Sequence, residues 1–243
     1  MKKNPWEKVN FDEKKIICPN DIGKLSEYDK YQKKLKKTNE YELNLELIPE
    51  PYIGNLETCS LLILLANPGI AKEENAGHDK EEMRSYGKRN LLQIEIEWPF
   101  YLLAPGIRKF AGGKYWLKRL SWLTKYFEKK YKMTEEEALQ KVAQKVAVAE
   151  LHPYHSKEIH KTNMLYNLPS SKFTYSCVKE AITRGCNILI ARSLSEWEKQ
   201  VELPRSFFML RSSQSDGVIQ AKNLVIASNE TITEKSLLCR KSS

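Results

Sequence analysis

Four short apolar runs, separated by segments with helical periodicity, are the feature that most constrains the fold of this 243-residue chain. The runs occupy residues 60–66, 146–151, 187–191 and 206–210, and they are partly β-branched. Strands that are apolar on both faces are typical of a parallel sheet covered by helices on both sides. We therefore predict an α/β fold, a three-layer α/β/α sandwich around a four-stranded parallel sheet.

Helices are predicted between the apolar runs. Residues 115–131 carry apolar side chains at spacings of three and four, which is the period of an amphipathic helix. A second helix begins at Thr134, a capping residue that is followed by an acidic first turn. Residues 171–185 end on Gly185, the usual residue after a helix, and Ser193 is the predicted N-cap of a short further helix.

The length favours one domain, and an apolar fraction of 41% is sufficient for one sizeable core. Near the N-terminus, residues 26–37 combine lysines with spaced tyrosine and leucine side chains, which predicts an amphipathic helix. We therefore predict a lysine-rich helical extension over residues 1–45, followed by a single α/β domain over residues 46–243.

Charge and cysteine content indicate the partner and the cellular compartment. The net charge of +9 suits an anionic partner such as nucleic acid, although a lysine-rich solvated surface gives the same value. The five cysteines include no Cys-x-x-Cys pair, so reduced thiols are favoured over a metal ribbon. No signal peptide is recognised, and no apolar run reaches the roughly 20 residues of a membrane span. We expect a soluble, cytoplasmic protein.

Each predicted strand ends in a polar cluster. The four clusters are Asn67-Pro68-Gly69, Glu150 with His152-Pro153-Tyr154-His155-Ser156, Arg192-Ser193, and Arg211-Ser212-Ser213-Gln214-Ser215-Asp216-Gly217. In parallel α/β sheets, ligands bind at the carboxyl ends of the strands. Four such clusters on successive strands therefore predict a site along that edge of the sheet.

In this order, the clusters resemble the motifs of the uracil-DNA glycosylase superfamily. Residues 65–69, Leu-Ala-Asn-Pro-Gly, are similar to the Gly-Ile-Asn-Pro-Gly motif of its thymine-DNA-glycosylase-like branch, and Gly77-His78 stands where that branch has Gly-His. Residues 112–123 resemble its Gly-x-x-aromatic-Trp helix, and residues 211–224 occupy the place of its Ser/Pro-rich loop. The resemblance covers roughly residues 47–225. The last loop lacks the histidine that many members carry.

The resemblance implies a monofunctional DNA glycosylase, which flips a nucleotide out of the duplex and hydrolyses its N-glycosidic bond. It implies that Asn67 positions the attacking water and that Pro68 and Gly69 line the base pocket. Uracil-specific members carry a bulky aromatic where Gly69 stands, so a base with a substituent at carbon 5 could enter here. The alternatives are an Asn67 that caps its own turn and a Gly69 that is needed for a positive φ.

Glu150 stands where the resemblance places the base-reading Asn of uracil-specific members. Cytosine presents an N4 donor and an N3 acceptor, so a protonated Glu could accept from N4 and donate to N3. Burial raises the pKa of a carboxyl toward that protonated form, and a proton at N3 would help a neutral cytosine to leave. A structural pairing of Glu150 with Arg192 or with a helix N-terminus is the alternative.

The remaining candidate residues lie in three loops. His155 belongs to a histidine-rich segment, residues 152–160, and is predicted to lie near the base or a phosphate. A metal site in this segment is the alternative, but its spacing matches no familiar ligand set, so we predict no metal and no cofactor. The resemblance places a base-stacking aromatic at Phe100 or Tyr101, with core packing as the alternative. DNA-backbone contacts are assigned to Arg211, Ser213, Ser215 and to Lys222, at the start of a further predicted helix.

The favoured substrate is a 5-modified cytosine. Some relatives of the superfamily defend bacteria against phages whose cytosines are hydroxymethylated and glucosylated, and Gly69 with Glu150 suits such a base. The alternatives are repair of uracil or mismatched thymine, a non-catalytic DNA-binding protein on the same fold, and a metal-dependent hydrolase. We expect double-stranded DNA as the partner, no membrane contact, no obligate protein partner and a monomer.

Overall fold

A computed structural model describes residues 3–35, 41–70, 77–78, 80–158, 163–210 and 224–226. Its α-helices are α1 (Ile22–Leu35), α2 (Glu81–Leu91), α3 (Ala111–Tyr131), α4 (Glu135–Lys145), α5 (Asn163–Tyr166), α6 (Pro169–Thr183) and α7 (Leu194–Gln200). Its strands are β1 (Tyr52–Ile53), β2 (Leu61–Leu64), β3 (Val146–Ala149), β4 (Asn187–Ile190), β5 (Phe208–Leu210) and β6 (Leu224–Ile226). Within these ranges, no helix is long and apolar enough to cross a membrane.

The strands form one mixed sheet in the order β1-β3-β2-β4-β5-β6. Strand β2 pairs in parallel with β3 and with β4, and β4 pairs in parallel with β5. The edge strands β1 and β6 are antiparallel to their neighbours. The predicted α/β class is confirmed, and the four predicted strands correspond to β2, β3, β4 and β5, which run parallel, but two unpredicted antiparallel edge strands make the sheet mixed. Strand β1 has two residues, too few for a pattern in the sequence to reveal.

Strand β6 occupies the place where the sequence predicts a helix after Lys222. Val225 lies opposite Met209 of β5, and the three residues of β6 are apolar. Periodicity cannot assign the secondary structure of so short a run. Pairing with the edge of β5 makes it a strand. The helix predicted to begin at Lys222 is therefore wrong.

Strand β2 lies between two apolar cores, and all four of its residues are buried. Leu61 and Ile63 face the core formed with α3 and α4, and Leu62 and Leu64 face the core formed with α6 and α7. Side chains alternate between the two faces of a strand, so a strand covered on both sides must be apolar throughout. This explains the uninterrupted apolar run in the sequence.

Helix ends follow the sequence signals in two cases and depart from them in a third. Thr134 forms a capping box with Glu137: its hydroxyl accepts from the Glu137 N–H, and its own N–H donates to the Glu137 carboxylate. Gly185 follows α6 with φ +80°. Ser193 stands at the N-cap of α7, but it has φ +57° and makes no side-chain cap. The prediction that Ser193 caps this helix through its hydroxyl is therefore wrong.

The N-terminal segment packs into the core formed with α6 and α7. Trp6 is fully buried there, and its ring lies edge-on to Tyr154. Asp21 is also fully buried and accepts hydrogen bonds from the backbone N–H of Ser170, at 3.0 Å, and from the hydroxyl of Tyr154, at 2.8 Å. These contacts join the start of the chain to the loop after β3.

Candidate active site

The carboxyl ends of β2, β3 and β4 meet at the edge of the sheet where the strand order reverses. Strand β3 lies on one side of β2 and β4 on the other, which makes this a topological switch point. The Leu65 N–H donates to the carbonyl of Ala149 at 2.9 Å, and the Ala191 N–H donates to the carbonyl of Leu64 at 3.0 Å. The three loops that carry Asn67, Glu150 and Arg192 therefore start from neighbouring points.

Asn67 is held by Ser156, in the loop after β3. Its Nδ2 donates to the Ser156 carbonyl at 2.8 Å, to the Ser156 Oγ at 2.9 Å and to the Pro68 carbonyl at 3.2 Å. A carbonyl oxygen only accepts, so these contacts fix the orientation of the amide. None of the residues that the structure describes donates to its Oδ1. Ser156 belongs to the predicted polar cluster after the second strand, but the sequence pattern assigned it no role of its own.

Gly69 is exposed, and its conformation does not require glycine. Its φ lies outside the left-handed region, and a Cβ at this position meets no described atom within 4 Å. The interpretation of Gly69 as a turn glycine with positive φ is therefore wrong. The backbone conformation and the space at Gly69 would therefore both accept a larger residue.

Alanine at Gly69 is expected to leave stability unchanged, whereas alanine at Gly77 is expected to destabilise. Gly77 has φ +70°, and a Cβ there would lie 2.5 Å from the Phe110 ring. The strain and overlap should cost about 1–3 kcal/mol, which lowers Tm by roughly 3–10 °C for a chain of this size. Thermal unfolding followed by circular dichroism compares the two variants, and an equal loss in Gly69→Ala would contradict the open space.

Glu150 follows β3 and is almost completely buried. Its N–H donates to the Pro51 carbonyl at 2.9 Å, but its Oε2 has no hydrogen-bond partner among the described residues. Burial raises the pKa of the carboxyl well above its ordinary value, the charge of Glu50 acts in the same direction, and Arg192 opposes both. Burial therefore favours the protonated form of the Glu150 carboxyl. Arg192 acts on it across a distance, and in the described part of the chain the two form no salt bridge.

The His155 ring contacts the backbone of the Asn-Pro-Gly segment. Its ring is buried, with Nδ1 2.8 Å from the Gly69 carbonyl oxygen and Nε2 3.0 Å from the Ile48 carbonyl oxygen. The ring also lies edge-on to His78, with the ring centroids 5.5 Å apart. His155 therefore connects the backbone of Gly69 to that of Ile48.

His152 is fully buried, and neither ring nitrogen has a partner among the described residues. Burial lowers its pKa to about 3, and the charge of His155 acts in the same direction, so His152 is neutral. No group of three His, Cys, Asp or Glu side chains within the described ranges could hold a metal ion. His160, the third histidine of this segment, lies outside those ranges.

Phe100 and Tyr101 both belong to the core formed with α3 and α4. Phe100 is fully buried and packs edge-on against Trp116. Tyr101 stacks on Tyr86 and donates its hydroxyl proton to Glu50. The alternative of core packing therefore describes both rings, and neither offers a free face to a base in this structure.

The proposed contacts to the DNA backbone fall in the loop after β5. Arg211, Ser213, Ser215 and Lys222 lie outside the described residues, so their roles stay predictions.

Pro68, in the loop after β2, lies within the described residues. It is buried, and its carbonyl oxygen accepts from the Ser156 N–H at 3.2 Å. Pro68 and Asn67 together tie the loop after β2 to the loop after β3.

A cleft of about 680 Å³ lies at the opposite, amino-terminal edge of the sheet. It is lined by residues that precede β2 and β3, among them Asn55, Gln93 and Lys145. The Gln93 side chain is already used, since it bonds the backbone of Leu56 and Gly54. The buried Glu150 carboxyl, whose Oε2 has no partner among the described residues, and the fixed Asn67 amide both lie at the carboxyl edge, which makes that edge the candidate site.

Comparison with known proteins gives no relative: no family model, no curated protein and no solved structure matches this chain. The likeness to the uracil-DNA glycosylase superfamily therefore rests on the motif residues and on the arrangement at the sheet edge. It stays a prediction, and the function argued from it is a proposal.

Proposed function

We propose that this protein is a monofunctional DNA glycosylase with the three-layer fold of the uracil-DNA glycosylase superfamily. Its proposed substrate is a flipped-out cytosine with a substituent at carbon 5, and its product is an abasic site. The observation that carries the proposal is the buried carboxyl of Glu150, with its raised pKa, at the same sheet edge as the amide of Asn67. A buried carboxyl oxygen without a hydrogen-bond partner, such as Oε2 of Glu150 among the described residues, is costly and is typical of a functional site.

Glu150 suits cytosine better than uracil. The protonated carboxyl donates to N3 through its hydroxyl and accepts from N4 through its carbonyl oxygen, which matches the edge of cytosine. Uracil has a proton at N3 and an oxygen at position 4, so it meets this carboxyl with the wrong pattern. A mismatched pattern leaves buried polar groups unpaired, and this supports selection for cytosine-type bases.

In the proposed reaction, water attacks carbon 1′ of the sugar while the bond from carbon 1′ to the base nitrogen breaks. The electron pair of that bond moves to the base, and the proton of Glu150 passes to N3, so the base leaves neutral. Asn67 holds the water through Oδ1, and the proton that the water loses passes to solvent. An amide is a weak base, so Asn67 positions the water and turnover is expected to be modest.

Gly69 supports the choice of a modified base. The resemblance implies that an aromatic side chain at this position would crowd carbon 5 of the base, and a Cβ at Gly69 meets no described atom within 4 Å. A hydroxymethyl or glucosylated hydroxymethyl group could therefore enter. Because thymine also carries a substituent at carbon 5, the edge read by Glu150 must supply the discrimination between thymine and cytosine.

A panel of duplexes, each with one defined base, tests the proposal. Duplexes with 5-hydroxymethylcytosine or its glucosylated form should be cleaved after alkali, because alkali breaks the chain at abasic sites. Duplexes with uracil or mismatched thymine should react at least about 100-fold more slowly, given the loss expected when a polar edge is mismatched. Equal excision of uracil and modified cytosine would contradict the proposed specificity, and preferential excision of uracil would favour a repair enzyme.

A further inference from the structure

Two cysteines lie in contact at the amino-terminal edge of the sheet, opposite the candidate active site. The Sγ atoms of Cys59 and Cys186 are 3.6 Å apart, and both side chains are buried. We propose that this pair is an oxidation site, at which a peroxide converts the two thiols into a disulfide that a thiol reductant reverses. The inference does not depend on the proposed glycosylase activity.

The two cysteines stand before neighbouring parallel strands. Cys59 lies two residues before β2, and Cys186 lies one residue before β4. Leu61 is paired in register with Asn187, and the Asn187 N–H donates to the Ser60 carbonyl at 3.0 Å. The cysteines are therefore one residue out of register on adjacent segments, and both belong to the core formed with α6 and α7.

This arrangement suits a disulfide without movement of the strands. In ideal parallel strands, positions one residue out of register lie roughly 6 Å apart at Cα, within the range of about 4.4–6.8 Å that disulfides accept. A disulfide bond is about 2.05 Å long, so the two sulfurs must approach each other by about 1.5 Å. Rotation about the two Cα–Cβ bonds can supply that approach.

The surroundings of Cys59 favour its thiolate, which is the form that reacts with oxidants. The Arg184 Nη2 atom lies 3.9 Å from the Cys59 Sγ, and it donates to the Leu56 carbonyl at 2.7 Å, which holds the guanidinium in place. The hydrogen bond with Cys186 and the charge of Arg184 lower the pKa of Cys59, while burial opposes them. Cys59 is therefore the expected attacking thiol.

The other two described cysteines have the opposite surroundings. Burial raises the pKa of Cys18 and of Cys177 to about 11. The charges of Asp21 and Glu180 act in the same direction on Cys18 and Cys177, respectively. Cys177 is nevertheless half-buried, whereas the other described cysteines are buried. Exposure alone predicts oxidation at Cys177, whereas the contact between the sulfurs predicts it at the buried pair.

In the proposed reaction, the Cys59 thiolate attacks one oxygen of hydrogen peroxide. The S–O bond forms as the O–O bond breaks, and the second oxygen leaves as hydroxide and takes a proton from solvent. The Cys186 sulfur then attacks the sulfenic sulfur, and the hydroxyl leaves with the thiol proton as water. The two sulfurs lose two electrons, which the peroxide gains. Thr58 and Gly185, which flank the cysteines, are exposed, so a molecule this small has a short path to the sulfurs.

Peptide mapping after mild oxidation tests the pairing. The reduced full chain is treated with hydrogen peroxide, and the remaining thiols are alkylated in denaturant before digestion and mass spectrometry. We expect one cross-linked pair of peptides that contains Cys59 and Cys186, with Cys18 and Cys177 alkylated. Dithiothreitol should restore both thiols. A disulfide that includes Cys177 or Cys239, or oxidation of Cys177 ahead of the pair, would overturn the proposal.

Two single variants identify the attacking thiol. In Cys186→Ser no second thiol consumes the intermediate, so a sulfenic acid at Cys59 should accumulate and be trapped by dimedone. In Cys59→Ser, Cys186 should stay reduced. Cys177→Ser is the matched control and should form the disulfide at the wild-type rate. Equal trapping of sulfenic acid in Cys59→Ser and Cys186→Ser would contradict the role given to Cys59.

Arg184→Gln tests the charge beside the pair. Its loss should slow disulfide formation by about 10-fold at pH 7, the effect of about one pKa unit on the thiolate fraction. The difference from the wild type should shrink as the pH rises, because the thiol then ionises without help. An equal slowing at every pH would contradict an effect of the Arg184 charge.

The disulfide should also stabilise the fold, because it joins residues 127 positions apart in the chain. The oxidised wild type should unfold about 5–15 °C above the reduced protein. Cys59→Ser, treated in the same way, should show no shift. A cross-linked protein with a lower Tm than the reduced protein would show that the native fold does not accommodate the bond, and would overturn the site.

Discussion

Replacing Glu150 with glutamine is expected to stabilise the fold and to abolish excision of modified cytosine. Burial raises the pKa of the Glu150 carboxyl well above the ordinary value of 4.5, which favours its protonated form in the folded protein. A raised folded pKa means that the stability is fully present below pH 4.5 and is lost as the pH rises toward the folded pKa. Glutamine does not ionise, so the stability of the variant increases relative to that of the wild type as the pH rises.

At pH 8 the gain should be about 1 kcal/mol or more, which is roughly 3 °C or more in Tm. At pH 4 the two proteins should unfold at nearly the same temperature. Excision should fall by about 100-fold or more, because glutamine has no proton to deliver to N3. Thermal unfolding at both pH values and single-turnover excision measure the two effects. A Tm of Glu150→Gln below that of the wild type at pH 8 would show that the carboxyl is structural.

Asp21 provides the matched control for a buried carboxyl. Burial also raises its pKa, but its oxygens accept from the Ser170 N–H and the Tyr154 hydroxyl. Asp21→Asn replaces one acceptor by a donor in a filled site and should lower stability by about 1–3 kcal/mol. If Asp21→Asn lowers the free energy of unfolding and Glu150→Gln raises it, the first carboxyl is a hydrogen-bonded structural group and the second is retained for function.

The second large effect is expected for Asn67→Ala. Without the amide oxygen the attacking water loses its position, and excision should fall by about 100- to 1,000-fold, in the range seen when one fixed polar group is removed from an active site. The variant also loses the bonds to Ser156, which should cost about 1–2 kcal/mol of stability. Binding of the modified duplex should persist, because the proposed base-reading carboxyl of Glu150 is unchanged.

Ser156→Ala is the control for the orientation of the amide. It removes the Oγ acceptor but keeps the Ser156 carbonyl, which by itself fixes Nδ2 at 2.8 Å. Excision should therefore fall by less than about 10-fold, the loss of one neutral hydrogen bond. If Ser156→Ala and Asn67→Ala were equally inactive, the role of Asn67 would be to hold the loop and not the water.

Several elements could be predicted because their signals are local. The uninterrupted apolar run of β2 indicates burial on both faces of the strand. Thr134 and Glu137 lie three positions apart, which is the spacing of a capping box. The polar residues at the ends of the strands likewise follow from the general geometry of parallel sheets. For these features the chain carries the information within a few positions.

Other features depend on contacts between distant segments, which a local pattern does not contain. Phe100 and Tyr101 are placed by packing against Trp116 and Tyr86, so their burial was one of two open alternatives. Ser193 has a positive φ, whereas an ordinary N-cap residue has an extended backbone. It follows the residues that pair the end of β4 with the end of β2.

The most direct test of the central claim is to identify the base that the protein releases. The wild type and Asn67→Ala are incubated with a duplex that contains glucosylated 5-hydroxymethylcytosine, and mass spectrometry is applied to the small molecules and to the DNA. We expect the free modified base and a DNA strand that is intact but abasic with the wild type, and neither with Asn67→Ala. Release of a nucleotide, cleavage of the strand without alkali, or equal release by Asn67→Ala would contradict a monofunctional glycosylase built on Asn67.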